Sequence, residues 1–315
     1  MKCAVFSIVG AVLMTTGPAA LSHGDTMKDT KTGSPKVIFK ALGAGRWFPA
    51  DRDRLGRVID GFMDAAEVPK IEGRLLSAIA PHAGYQYSGP VAGFAFKAIR
   101  QLAAGTNTPE TVVILGASHR MTFKGVAIMD ADSLETPLGA TPLDRAAAET
   151  LIAGRSLIRL DNNPHTGEHS AENEVPFVQK ALPEAKLVVA IVGDHSTDTL
   201  TQLVAALVEL AEKKKIIVVA SSDMLHSPDY DLVSKTDRQT MKKVAALDTR
   251  GIIENWSGDH QIFCGVMPVL AAMQFARASG CKAGTVLHYR NNGDDDPSSR
   301  GTWVVGYGSA IFAAP

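Results

Sequence analysis

Thr111-Val112-Val113-Ile114-Leu115-Gly116 is an unbroken apolar run that ends in Ala117-Ser118-His119. Its length, its β-branched content and the turn chemistry behind it predict a strand buried on both faces, as in a parallel sheet. Two more runs repeat the pattern. LLSAIA (75–80) leads into Pro81-His82-Ala83-Gly84-Tyr85, and KIIVVASS (215–222) leads into Asp223-Met224-Leu225-His226. Ligands of open α/β sheets bind outside the carboxyl ends of the strands. One edge of the sheet would therefore collect His82, His119, Asp223 and His226, a set of side chains suited to holding a metal ion.

Outward from these runs, strands and helices alternate. Residues 51–66 carry Leu55, Val58, Ile59, Phe62 and Met63 at helical spacing behind Asp51. Residues 88–102, 197–212, 231–247 and 264–278 read as further helices, and Thr141-Pro142 is expected to open another. Residues 186–192, 285–289 and 302–312 read as further strands. Asp223 and His226, three apart, would share one face of a helical turn. The alternation predicts an α/β fold over 36–315: a single domain with a mainly parallel central sheet flanked by helices.

The formal charge of −1 leaves no basic footprint for nucleic acid. The runs at 213–215 (Lys) and 294–296 (Asp) are short and read as solvated turns that imply no partner. At the N-terminus, Lys2 precedes the apolar stretch 4–14, and small residues follow at Ala19, Ala20 and Ser22. That order predicts a cleavable signal peptide over 1–22 and export, to the periplasm, with His23 as the first mature residue. The apolar stretch is too short to span a bilayer comfortably, so the mature chain is expected to have no stable membrane span. The polar stretch 23–35 reads as a disordered leader.

Two cysteines remain after cleavage, Cys264 and Cys281. An exported chain could join them in a disulfide. Alternatively, Cys264 opens an apolar helix, where the dipole would favour a thiolate for metal binding or redox chemistry. Glu168-His169-Ser170, followed by Glu172 and Glu174, is another dense polar stretch. It reads either as a helix start or as a pocket rim carrying Glu168 and His169.

The segments taken together resemble the Memo-like family, called AmmeMemoRadiSam system protein B in bacteria. The resemblance is carried by Gly45-Arg46-Trp47-Phe48-Pro49-Ala50 and by Pro81-His82-Ala83-Gly84-Tyr85-Gln86-Tyr87-Ser88-Gly89-Pro90. It continues through Ile114-Leu115-Gly116-Ala117-Ser118-His119, Glu168-His169-Ser170, Ser221-Ser222-Asp223-Met224-Leu225-His226, Cys264-Gly265 and Val305-Gly306-Tyr307-Gly308. It implies a fold similar to class III extradiol dioxygenases. It also implies that His82, His119 and Cys264 are the metal ligands, with Asp223 and His226 as their supporting or acid–base neighbours. Tyr85 is expected at the pocket rim beside Glu168 and His169.

The expected function is then that of a metal-dependent redox enzyme acting on a small aromatic substrate. His226 would transfer protons, Asp223 would orient it, and Phe94, Phe123 or Phe263 would line the pocket. A thiolate in place of a carboxylate softens the site, and iron or copper is the expected cofactor. Asp223 could instead be the third ligand, with Cys264 beside the metal. The alternative function is a non-catalytic metal- or peptide-binding protein outside the cytoplasm.

Overall fold

The computed structural model describes residues 36–103 and 107–315. The expected signal peptide and leader lie outside the described residues. The described chain begins with β1 (Ile38–Lys40) and α1 (Arg52–Ala65). Leu55, Ile59 and Met63 form the buried stripe of α1, and the Asp51 side chain caps it by accepting from the Arg54 N–H. Next come β2 (Arg74–Ala80), α2 (Tyr85–Leu102), β3 (Thr111–Ala117), β4 (Val126–Ile128), β5 (Ser133–Thr136) and β6 (Gly139–Pro142). The middle of the chain supplies α3 (Arg145–Ile152), β7 (Ile158–Leu160), α4 (Val175–Ala181), β8 (Lys186–Val192), α5 (Thr197–Lys213) and β9 (Ile216–Ser221). The last third holds β10 (His226–Ser227), α6 (Tyr230–Ala245), α7 (Thr249–Glu254), α8 (Val266–Ala278), β11 (Gly284–Asn291), α9 (Asn292–Asp295) and β12 (Val304–Ala314).

Strands β2, β9, β3 and β8 lie side by side and parallel at the centre of a nine-stranded sheet. Every residue of β3 and β9 is buried, as is every residue but the first of β2 and β8. Burial on both faces is why these runs read as continuously apolar rather than alternating. Val112 and Ile114 pack with α1, α2 and α4 on one face, while Val113 and Leu115 pack with α3, α5 and α8 on the other. Antiparallel strands finish the flanks. β12 pairs with β2, β11 and β10 pair with β12, and β4 pairs antiparallel with β8 while running parallel to β7. A separate small sheet joins β1, β5 and β6. Residues Lys36–Pro315 form one compact unit, and no helix among the described residues is long and apolar enough to cross a membrane.

Three local expectations are corrected. Thr141-Pro142 does not open a helix but ends β6, where Thr141 pairs with Leu134. α3 starts at Arg145 instead, capped by Asp144, whose side chain accepts from the Ala147 N–H. Asp223 and His226 do not share a helical turn either. The chain runs extended here because Met224 N–H donates to the Gly306 carbonyl and Gly306 N–H to the Leu225 carbonyl, tying the segment to β12. The helix expected from 264 starts at Val266, so Cys264 sits in the loop just before it, its N–H bonded to the Asp223 carbonyl.

Candidate metal centre

Because the central strands are parallel neighbours, their carboxyl ends share one edge. β2 delivers His82, β3 delivers His119, and the turn after β9 delivers Ser222 and Asp223 beside the loop that carries Cys264. One donor atom from each of His82, His119 and Cys264 lies within 4.8 Å of the others. His82 Nε2 is 3.3 Å from Cys264 Sγ, close to the roughly 3.5 Å between nitrogen and sulfur ligands of one tetrahedral ion. Asp223 is not a member of this cluster. Its Oδ1 instead accepts from the backbone N–H groups of His82 (2.8 Å) and Ala83 (3.1 Å), while Asn173 Nδ2 donates to the His82 carbonyl (2.7 Å). The loop carrying His82 is thus clamped from both sides.

The hydrogen bonds around Ser221 decide which His82 nitrogen is free. Ser221 Oγ has one proton and three polar neighbours. The Ser170 carbonyl, 2.5 Å away, can only accept, so the hydroxyl donates to it. Oγ must then accept from His82 Nδ1 (3.0 Å) and from Glu174 Oε1 (2.7 Å), and both carry protons. A protonated Nδ1 leaves the lone pair of neutral His82 on Nε2, the atom facing Cys264. The neutral state also follows from burial and from the neighbouring His119 and His169, which hold the His82 pKa well below its ordinary value. Glu174 fits the role of a neutral acid: burial, reinforced by Asp223, pushes its carboxyl up to about 8, and its Oε2 is buried without a partner among the described residues.

Glu168 does the corresponding job for His119. Its Oε1 lies 3.0 Å from His119 Nδ1, and Oε2 accepts the His119 N–H at 2.6 Å. The N–H groups of His169 and Ser170 also donate to Oε1, both at 2.9 Å. Burial opposes ionisation of Glu168, but the hydrogen bonds from His119 and His169 outweigh it and hold the carboxyl far below the usual carboxylate range. Burial likewise opposes a charge on His119, yet Cys264 and Glu168 together raise its pKa to about 10. An imidazole anchored through Nδ1 by a carboxylate presents Nε2 outward, which is the arrangement of a metal-binding histidine. Two imidazoles and a thiol facing one point, each histidine held through its other nitrogen, fit a metal ion.

Beside the donors opens a cleft of about 730 Å³. His169, Asp223 and His226 line its inner part. His169 stacks on the Trp47 indole with ring centroids 4.2 Å apart, and the three imidazoles of His82, His119 and His169 lie 5.1–5.3 Å from one another. His226 edges toward Trp303 at 6.1 Å. His226 is exposed to the cleft, and desolvation by its surroundings outweighs the raising effect of Asp223 and holds its pKa below the ordinary value, which favours the neutral imidazole that can accept a proton.

The family model described as Memo-like protein matches residues 40–311. The chain belongs to the Memo-like family. A MEMO1 family protein of Methanopyrus kandleri is 34% identical over 85% of this chain and 96% of its own. Relatives from Pyrobaculum aerophilum and Nitrosopumilus maritimus are 31% and 30% identical, over 87% and 88% of this chain and 99% and 100% of theirs. A crystal structure of an uncharacterized Escherichia coli K12 protein superposes with a TM-score of 0.46 at 15% identity, covering 75% of this chain and 99% of that one.

Within this Memo-like chain, several expected roles change. Tyr85 is not at the cleft rim: it is buried between Phe48 and Phe177, and its hydroxyl donates to the Asn173 carbonyl. Tyr87, two residues on and half exposed, lines the cleft instead. Glu168 lies beneath the imidazoles rather than on the rim, whereas His169 does line the cleft. Asp223 makes no hydrogen bond to His226 among the described residues; its oxygen is committed to the backbone of the His82 loop. Phe263 is sealed in the core, Phe94 stacks on His288, and Phe123 packs beneath Arg159. Cys264 and Cys281 are both free thiols, and the Cys281 thiol donates to the Ala283 carbonyl.

Sequence reasoning missed Ser221, Asn173 and Glu174 as supports of the site. The one available signal was a carboxylate, Glu174, standing directly before the apolar helix start Val175-Pro176-Phe177. It also missed Asp237, buried in α6, which accepts from the Leu225 N–H and the Tyr289 hydroxyl. Burial pushes the Asp237 carboxyl up to about 7. This group braces the extended segment between Asp223 and His226 from behind.

Proposed function

We propose that this Memo-like protein is a metal-dependent oxidoreductase, allied in chemistry to ring-cleaving dioxygenases, that acts on a small aromatic substrate. The observation that carries the reading is the convergence of His82 Nε2, His119 and Cys264 next to His169, which lines an aromatic-walled cleft. When bound, an iron or copper ion would supply the electron exchange that lets an aromatic substrate react with dioxygen.

The protein's own part is positioning and proton handling. Ser221 holds His82 in the tautomer with Nε2 free, and Glu168 holds His119 through Nδ1, so that His119 would give up its Nε2 proton on taking up a metal ion. Trp47 fixes the His169 ring by stacking, and the cleft walls offer flat apolar surface to an aromatic ring. His226, neutral and open to the cleft, takes a proton from a hydroxyl of the bound substrate and returns it to the product. Asp223 keeps the His82 loop rigid and favours the charged form of His226 once the proton arrives. Export belongs to the same proposal: the enzyme would work in the periplasm, on the strength of the signal-like residues 1–22.

The test is metal content and oxygen uptake of protein isolated anaerobically from the periplasmic fraction, with a panel of catechols as substrates. We expect near-stoichiometric iron or copper, a mature chain beginning at His23, and oxygen consumption with at least one catechol. His226→Ala should keep its metal and lose about a hundredfold in kcat. Metal bound without any oxygen uptake would reduce the site to metal holding, and an uncleaved cytoplasmic chain would overturn the export part.

A further inference from the structure

The cleft beside the metal donors is not electrically neutral. Its aromatic surfaces come from Trp47, Tyr87, Trp303 and Tyr307, and three carboxyl groups line it as well, Asp223 buried and Asp295 and Asp296 exposed. No Lys or Arg lines it among the described residues. Asp295 is paired with Arg290, which lies outside the lining, whereas Asp296 has no ion pair among the described residues. The Asp296 carboxyl is held below its ordinary pKa by bonds from the Ser298 side chain and backbone, so it stays charged at neutral pH. Asp295 and Asp296, two of the three residues in a run that reads from sequence as a solvated turn, thus line the cleft, while Asp294 is held by the Tyr230 hydroxyl and the Asn291 N–H.

A second feature points independently to an occupant. Tyr307 is 3% exposed, yet its hydroxyl has no hydrogen-bond partner among the described residues, and the side chain lines the cleft. Burial, with Asp223 and Tyr87 adding to it, holds this phenol in its protonated form. The residue as a whole is buried, but the hydroxyl itself is not sealed off; it opens into the cleft, where it is free to donate to a bound molecule. Tyr307 thus offers a donor near Asp223 to an oxygen substituent of a bound molecule.

We propose that the cleft selects aromatic molecules that carry a positive charge, an arylalkylamine with a ring hydroxyl, and discriminates against aryl carboxylates. Aromatic faces attract both an aromatic ring and an ammonium group. The Asp296 carboxylate, without an ion pair among the described residues, attracts the same ammonium group and repels an anion of the same shape, so discrimination has both an attractive and a repulsive component. The volume suits one small ligand with room to spare. The proposal rests on the cleft being the substrate site of the oxidoreductase described above, and it names the class of substrate.

The test uses a matched pair, tyramine and 4-hydroxyphenylacetate, which share the phenol ring and differ in the charge of the side arm. Binding is measured by titration calorimetry on the full chain, once free of metal and once loaded with redox-inert zinc. Tyramine is expected to bind at least about tenfold more tightly in both forms, one decade corresponding to about 1.4 kcal/mol. Asp295→Asn/Asp296→Asn, at two exposed positions that should not disturb folding, is expected to bring the ratio to about twofold or less. Tyr307→Phe should weaken both ligands and leave the ratio unchanged.

Equal affinities, tighter binding of the carboxylate, or no binding of either compound would overturn the proposal. So would a preference that survives the double substitution. Charge selection by protein that cannot take up metal would support this proposal while removing the redox reading. Metal uptake and oxygen consumption without charge selection would do the reverse.

Discussion

A chain carrying His82→Ala and Cys264→Ser is expected to lose metal affinity by more than about a thousandfold, and to emerge from anaerobic purification essentially without bound metal. The expectation follows from the small number of donors. His82 Nε2, His119 and Cys264 are the three atoms that meet, so removing two leaves a single imidazole, which holds a divalent ion only weakly in water. Ser221→Ala should act at one remove. It deletes the acceptor of the His82 Nδ1 proton and leaves all three donors in place, so affinity should fall about 10–100-fold. The measurement is metal content by elemental analysis, backed by competition titration with a chelating dye. Full metal occupancy in the double variant would mean that the ion sits elsewhere, with Asp223 or the His119–Glu168–His169 group as the next place to look.

The second large effect is on stability. Glu168→Ala is expected to destabilise the fold by about 3–6 kcal/mol, since three backbone N–H groups lose their acceptor at roughly 1–3 kcal/mol each when buried. Those groups belong to His119, His169 and Ser170. Water can reach the more open ones, which places the estimate below the full sum. Glu168→Gln keeps one acceptor oxygen and should cost less. The pH dependence has a definite sign. The Glu168 carboxyl is held below its ordinary pKa in the folded chain, so its contribution is present above the unfolded value near 4.3 and is lost as pH falls below it. Urea unfolding at pH 7 and at pH 4 should show the wild type losing stability with acid and the alanine variant losing less. An alanine variant within about 1 kcal/mol of wild type at pH 7 would contradict this account of Glu168.

The two predictions separate the layers of the site. His82, His119 and Cys264 can change without collapse, because each contributes a side chain at a loop or strand end. Glu168 cannot, because it satisfies the backbone of two loops at once. A functional role for Glu168 is therefore read through Glu168→Gln, in which the fold survives, and a structural role through Glu168→Ala.

The framework of the fold is written in the residues alone. The apolar runs at 75–80, 111–116, 186–192 and 216–221 specify strands buried on both faces, because a one-faced strand would alternate. Parallel strands in turn bring their carboxyl ends to one edge, which places His82 and His119 together without any contact information. The short strands β4, β7 and β10 were not legible, since two or three residues carry no period and become strands only by pairing with a neighbour. The partners of the site were not legible for a related reason. Cys264 meets His82 across 182 positions, Ser221 meets Glu174 across 47, and Glu168 reaches His119 across 49. Local periodicity records which face of an element is buried. It does not record which buried polar group will find which acceptor, because that pairing is settled only when separate loops are packed against one another. The protonated Glu174, the tautomer of His82 and the acidic lining of the cleft are all products of that packing.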